Sequence, residues 1–184
     1  MLIKTIQIHN FYSFKDATIN FEDYQGIVQV LGKNLDSNGS NGAGKSVLFE
    51  AVIWSLYNKT IRKSTEQSLV NNQVGRDCKV SIELETTKGD KILIERGKRP
   101  TLLNLYIDGV LKNEQSAAET QTKIEELIQS DYKSFLASVV FGQHVDVDFL
   151  SSTPDEKRNI IRNCFSLENI FKMREAVKVL KSQY

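Results

Sequence analysis

The octapeptide Gly39-Ser-Asn-Gly-Ala-Gly-Lys-Ser46 constrains this chain more than any other stretch, because it fits the phosphate-binding pattern G-x-x-x-x-G-K-[ST] at every fixed position. Glycines at this spacing let successive backbone N–H groups converge on phosphate oxygens, which residues bearing a Cβ allow less freely. In such a Walker A loop Lys45 reaches the β- and γ-phosphates of a nucleotide and the Ser46 hydroxyl ligates magnesium. The flanks agree. Gly26-Ile-Val-Gln-Val-Leu31 predicts a buried strand ahead of the loop, and Val47 to Tyr57 predicts a helix after it. That order sets the phosphates on a helix N-terminus, where unpaired N–H groups and the macrodipole both favour negative charge. The alternative is a Gly/Ser/Asn-rich surface turn that contains Lys-Ser by chance.

At 184 residues the chain can bury a sizeable core and is most simply one domain with an appendage. Its 24 basic and 23 acidic residues leave a net charge of +1, so no global field draws it to nucleic acid or membrane, and any such contact is a local patch. Cys78 and Cys164 lack metal-ligand spacing and, with no signal-peptide pattern ahead of them, point to a reducing, cytoplasmic compartment. With only His9 and His144 beside them, zinc chemistry is not expected. No apolar run approaches the roughly 20 residues of a membrane span, so no membrane partner is expected.

Thr5 to His9 and Ala17 to Glu22 alternate polar and apolar residues, predicting an antiparallel strand pair with Asn10 to Asp16 as its loop. The polar segment from Gly32 to Asn38 is a long run-in to the phosphate loop. The helix after Ser46 is apolar nearly all round and must be covered on most sides. Strands follow at Lys79 to Glu85 and Lys91 to Glu95, then at Thr101 to Ile107 and Val110 to Lys112 around the hairpin signal Asp108-Gly109. Ser116 and Glu119 form a capping box for a helix whose apolar stripe is Ala117, Ile124, Leu127 and Ile128. Asp131 caps another, with Phe135, Leu136, Val139 and Val140 inward. Thr153-Pro154-Asp155-Glu156 starts a third, and no breaker follows before Tyr184. Within that run Ile170, Met173, Val177 and Leu180 are spaced like a short coiled-coil seam, or like an ordinary amphipathic helix.

ATP hydrolysis needs a second carboxylate for magnesium and a group to activate water. No apolar strand here ends in Asp-Glu. Leu103 to Asp108 is an apolar strand ending in one Asp, but Gly109 follows and another strand resumes, so the hairpin reading outweighs the catalytic one.

Four stretches carry a resemblance by their order: Ile8-His-Asn-Phe-Tyr-Ser-Phe14, the Asn41 to Ser46 loop, Phe141-Gly-Gln143 and Ser152-Thr-Pro-Asp-Glu-Lys-Arg158. The chain resembles SMC-like ABC ATPases of DNA double-strand-break repair, nearest in type to the SbcC-like ATPase of the repair exonuclease and its phage relatives. The fold class this implies is α/β: an ABC-type P-loop NTPase half-domain, an antiparallel β meander plus the Walker A strand-loop-helix, with the start of a coiled-coil helix. Residues 1–152 would be the N-terminal lobe of the head and 153–184 the helix leading into the coil. The signature motif, Walker B and the catalytic glutamate belong in this family to a C-terminal lobe, so the expectation is a truncated chain or a natural half-protein, inactive alone.

The same resemblance implies site roles. Lys45 would hold the β- and γ-phosphates as a catalytic group, Ser46 would ligate Mg2+, and Asn41, Gly42, Ala43 and Gly44, with Val47, would line the ATP. Gln143, matching the Q-loop glutamine, would touch magnesium or the attacking water. Ser13 and a residue within Ile61 to Thr65, Lys63 being the choice, would add nucleotide contacts. Three departures stand out: Tyr12 where the family usually has Arg, Val47 where a second hydroxyl is usual, and an apparent insertion from Lys33 to Asn38. Implied partners are the C-terminal lobe, a second head in an ATP-dependent homodimer, a nuclease subunit and double-stranded DNA. Two basic clusters, Arg96-Lys98-Arg99 and Lys157-Arg158-Arg162, are either solvated charge or DNA contacts. Two other readings stay open: a self-contained P-loop enzyme using Asp108, and a non-hydrolysing nucleotide-binding interaction module.

Overall fold

The structure is a computed structural model that describes residues 1–33, 43–62, 66–140, 152–164, 167, 170, 173–174, 177–179 and 181. It divides into two compact units, Met1–Ile124 and Glu125–Tyr184.

The first unit is built on a six-stranded sheet in the order β2-β1-β3-β4-β5-β6. The strands are β1 (Leu2–Phe11), β2 (Phe14–Asn20), β3 (Cys78–Glu85), β4 (Lys91–Lys98), β5 (Leu102–Ile107) and β6 (Val110–Leu111), every neighbour antiparallel. Period-two patterning sets the register. Ile6 pairs with Ile82, Ile82 with Ile94 and Ile94 with Leu105, a row across four strands in which no residue is more than 1% exposed. A one-residue slip would turn this row to solvent, which is why the pairing is specific. At the β5–β6 turn Asp108 and Gly109 both have positive φ, 49° and 77°, the geometry that hairpins of this length demand.

Helix α1 (Lys45–Tyr57) lies against β1, β3 and β4, and from Val47 to Tyr57 only Phe49 is exposed. Its C-terminal end is fastened by polar groups from two elements. Arg96, in the row beside Val80 and only 5% exposed, donates from Nε to the Ser55 carbonyl (3.1 Å) and from Nη2 to Gln121 Oε1 (2.6 Å). Gln121, in helix α2 (Ala117–Ile128), donates in turn to the Leu56 carbonyl at 3.0 Å. A cation is thus placed where the last-turn carbonyls lack intrahelical donors.

The predicted strand from Gly26 to Leu31 does not form: these residues pair with no strand, and Ile27 and Leu31 are 104% and 79% exposed. A strand exists only with a partner, and both neighbours of every central strand are already supplied by the meander. The β1–β2 loop is also shorter than expected, two residues instead of seven, because β1 runs to Phe11 and β2 starts at Phe14.

The Ser116–Glu119 capping box forms in both directions at 3.1 Å. On α2, however, the buried residues are Thr120 and Ile124 rather than the full stripe, and Ala117 is exposed. In the second unit, α3 (Tyr132–Val139) is capped by Asp131, whose Oδ1 accepts from the Ser134 N–H at 2.9 Å. Leu136 is buried but Val139 is 59% exposed, so the inward face is narrower than its apolar count implied. α3 packs on α4 (Pro154–Cys164), which opens with Thr153 and Glu156 bonded reciprocally. The expected unbroken run to the end is interrupted: at Leu167 the N–H bonds to Arg162 five residues back, a wider turn than the α-helical four.

Candidate nucleotide site

The start of α1 is left open for an anion. Its N-cap is Gly44, left-handed at φ 82°, which brings no side chain to the first N–H groups, and no acidic residue stands in the first turn. Lys45, Ser46 and Val47 line a cleft of about 680 Å³ together with Ala43, Gly44 and the β1–β2 turn residues Tyr12 and Ser13. Ser13 is close enough to Gly44 that a Cβ built there would stand 3.1 Å from the Ser13 hydroxyl.

The turn is held in place by the strap from Leu69 to Val74. Tyr12 N–H donates to the Leu69 carbonyl at 2.7 Å, Phe11 bridges Val70, and Asn71 N–H donates to the Asn10 carbonyl at 2.9 Å. The Asn71 side chain, 3% exposed, accepts from the N–H groups of Gln73 and Val74 and donates to the Phe14 carbonyl. Behind it, the Phe11 ring packs on Trp54 of α1 with centroids 5.2 Å apart. Helix and turn are therefore fixed to one another through the core.

Arg62 and Arg99 complete the cationic lining with Lys45, and no carboxylate lines the cleft among the described residues. Arg99 stands in the β4–β5 connection, where Asp77 N–H donates to its carbonyl at 2.8 Å. A concave site with three cations, three serines and a helix start whose N-cap is glycine suits a polyphosphate. Magnesium bound to a triphosphate would find the Ser46 hydroxyl at the helix start as a ligand, and no carboxylate among the described lining residues.

Of the expected site residues the structure brings together Ser13, Ala43, Gly44, Lys45, Ser46 and Val47. Asn41, Gly42, Lys63 and Gln143 lie outside the described residues. Asp108 is not among the cleft residues; its Oδ1 accepts from the Lys91 N–H at 2.9 Å, a turn-holding role. The buried Arg96 is likewise no surface cation, which splits the first basic cluster. Sequence reasoning missed Asn71, Asn72 and Arg99 as lining groups. Asn71, Asn72 and Gly75 are residue types common in turns, and which cleft a turn borders depends on the sheet register. Burial pushes the Cys78 thiol up to about 12, so it is a core group and not a nucleophile.

The sequence profile described as AAA domain matches residues 5–183. Among curated relatives, the DNA double-strand break repair Rad50 ATPase of Methanococcus maripaludis is 28% identical over 186 aligned positions, covering 100% of this chain and 18% of that protein. Exonuclease subunit 2 of Escherichia phage RB69 is 27% identical, covering 92% of this chain and 31% of the relative. The SbcC component of nuclease SbcCD from Bacillus subtilis is 28% identical, with 89% and 15% covered. The chain spans less than a third of the length of each. With the match running over nearly its whole length, the chain belongs to the AAA domain family and is a distant homologue of the N-terminal part of Rad50, SbcC and phage exonuclease subunit 2 ATPases.

Proposed function

We propose that this chain is the ATP-binding N-terminal lobe of a DNA-repair ATPase, residues 1–152 forming the lobe and 153–184, helical on either side of the turn at Leu167, leading into a coiled coil. The observation that carries the reading is the cleft that joins Lys45 and Ser46 at an uncapped helix start to Ser13 and Tyr12. In it Lys45 takes the β- and γ-phosphates, Ser46 a magnesium ion, and Ala43 and Gly44 supply backbone donors, with Val47 lining the cleft beside them. Asn41, Gly42 and Lys63 add nucleotide contacts, and Gln143 senses the metal or the attacking water.

The missing carboxylates come from a C-terminal lobe. Two features support a second lobe. The cleft has no acidic lining among the described residues, and apolar side chains on both flanks of the phosphate loop, Ile27 and Leu31 before it and Phe49 after it, stand exposed. Ile170, Met173 and Val177, each more than 60% exposed, support a partner helix along the coil. ATP held between two such heads links dimerisation to nucleotide binding, and the dimer clamps double-stranded DNA and regulates a nuclease subunit.

Calorimetric titration with magnesium-ATP, followed by phosphate release with and without the C-terminal lobe, tests this. Binding by the wild type, at least tenfold weaker in Lys45→Ala, with turnover only when the second lobe is added, is the expected result. Absence of binding would end the nucleotide reading. Turnover by the chain alone, abolished by Lys45→Ala, would instead make it a complete enzyme, and binding without turnover in the assembled head would make it an interaction module.

A further inference from the structure

Glu50 is the only buried carboxylate among the described residues, 2% exposed in a helix whose other inward positions are mostly apolar. An apolar residue would suit the helix pattern there, and a buried charge is costly unless well bonded. Glu50 is well bonded: Oε2 accepts from the Ile61 N–H at 2.9 Å and Oε1 from the Arg62 N–H at 3.1 Å. The Arg62 Nε lies 3.8 Å from the same Oε1, and the Thr60 hydroxyl closes the turn by donating to the Arg62 carbonyl at 2.7 Å. Glu50 follows Lys45 by five positions in the same helix, and Arg62 and Lys45 line one cleft. The carboxylate thus fastens the segment that carries the second cation to the helix that carries the first.

We propose that Glu50 is a positioning residue for nucleoside triphosphate binding, setting Arg62 in the cleft as a polyphosphate contact; this rests on the nucleotide reading above. Two backbone donors fix where the segment runs, and the Nε contact fixes which edge of the guanidinium turns toward the helix. Arginine so held loses less side-chain freedom when a phosphate arrives.

The test is a double-mutant cycle on magnesium-ATP affinity of the whole chain, with thermal unfolding beside it. Arg62→Ala is expected to weaken binding roughly tenfold, an ordinary loss for one charge-assisted phosphate contact. Glu50→Gln is expected to weaken it comparably, because the amide offers one acceptor where two donors converge. In the Arg62→Ala background Glu50→Gln should then add less than about twofold. Arg62→Lys should recover most of the lost affinity, which a purely structural role for the segment would not predict. Should Glu50→Gln fail to fold, Glu50→Asp, which keeps the charge but withdraws it by one methylene, takes its place in the cycle. Additive losses, or Arg62→Ala binding like wild type, would overturn the proposal. A Lys45→Ala chain that still binds ATP normally would instead sink the nucleotide reading beneath it.

Discussion

Gly32 lies so close to Ala43 that a Cβ built on the glycine would stand 2.7 Å from the Ala43 Cβ and 3.0 Å from Cγ of Lys45. The obstructing atom is fixed to the phosphate-loop backbone and cannot swing aside. Gly32→Ala is therefore expected to push the loop outward and weaken magnesium-ATP binding roughly tenfold or more, since displacements near 1 Å are costly at such sites. Gly26→Ala offers the comparison, because nothing lies within 4 Å of a Cβ there, although its φ of 72° adds local strain. Calorimetry on both would decide; equal affinities in the Gly32 variant and the wild type would show that the contact does not set loop position.

Arg96 should matter to stability rather than to DNA. Replacing it with Met removes the donors to Ser55 and Gln121 while roughly keeping the volume. The expected loss is about 3 kcal/mol in urea unfolding, typical of breaking a buried, charge-assisted pair of hydrogen bonds. The salt slope of duplex affinity should stay unchanged in the assembled head, whereas neutralising Lys157, Arg158 and Arg162 together should flatten it if that helix meets phosphates.

Asp108 should likewise read as a turn residue. Asp108→Ala loses the acceptor for Lys91 and places a Cβ-bearing, non-Asx residue at φ 49°. A cost of about 1–2 kcal/mol follows, with ATP affinity untouched. Asp108→Asn, which keeps an oxygen acceptor and tolerates the left-handed region, should be close to neutral.

Glu156 gives a pH signature in the second unit. The Thr153 backbone N–H, then the Lys133 ammonium and the Thr153 hydroxyl, hold its carboxyl down to about 2 from the usual 4.5. Because the folded value is depressed, its stabilising contribution is fully present above about 4.5 and is lost as pH falls through about 2. NMR titration of the Glu156 carboxyl should show a midpoint near 2. Lys133→Ala should raise it only part of the way, since the backbone donor remains. A wild-type midpoint at the usual value would show that the cap does not persist in solution.

Local signals were legible wherever chemistry and neighbours lie close in sequence. The Ser116–Glu119 box, the Asp131 cap, the Asp108-Gly109 hairpin and the helix after the phosphate loop all form where the residues predict them. The phosphate-loop residues that the structure describes converge with Ser13 because a glycine pattern of this kind carries its own geometry. What could not be read depends on partners distant in sequence. Whether Gly26 to Leu31 becomes a strand is decided by a neighbouring strand, not by its β-rich composition. Arg96 looks like a surface cation until the sheet register turns it under α1. Glu50 went unnoticed in a helix read as apolar nearly all round, because its two backbone donors come from a segment whose path the sequence does not specify.

The exposed run from Ile27 to Leu31 has a practical consequence for anyone handling the chain by itself. It is uncharged, rich in β-branched residues and lacks proline, the composition of segments that pair with copies of themselves. Shelf life and yield in isolation should therefore depend on protein concentration and improve when this strip is shielded, so co-expression with whatever normally covers it is the sound preparative route.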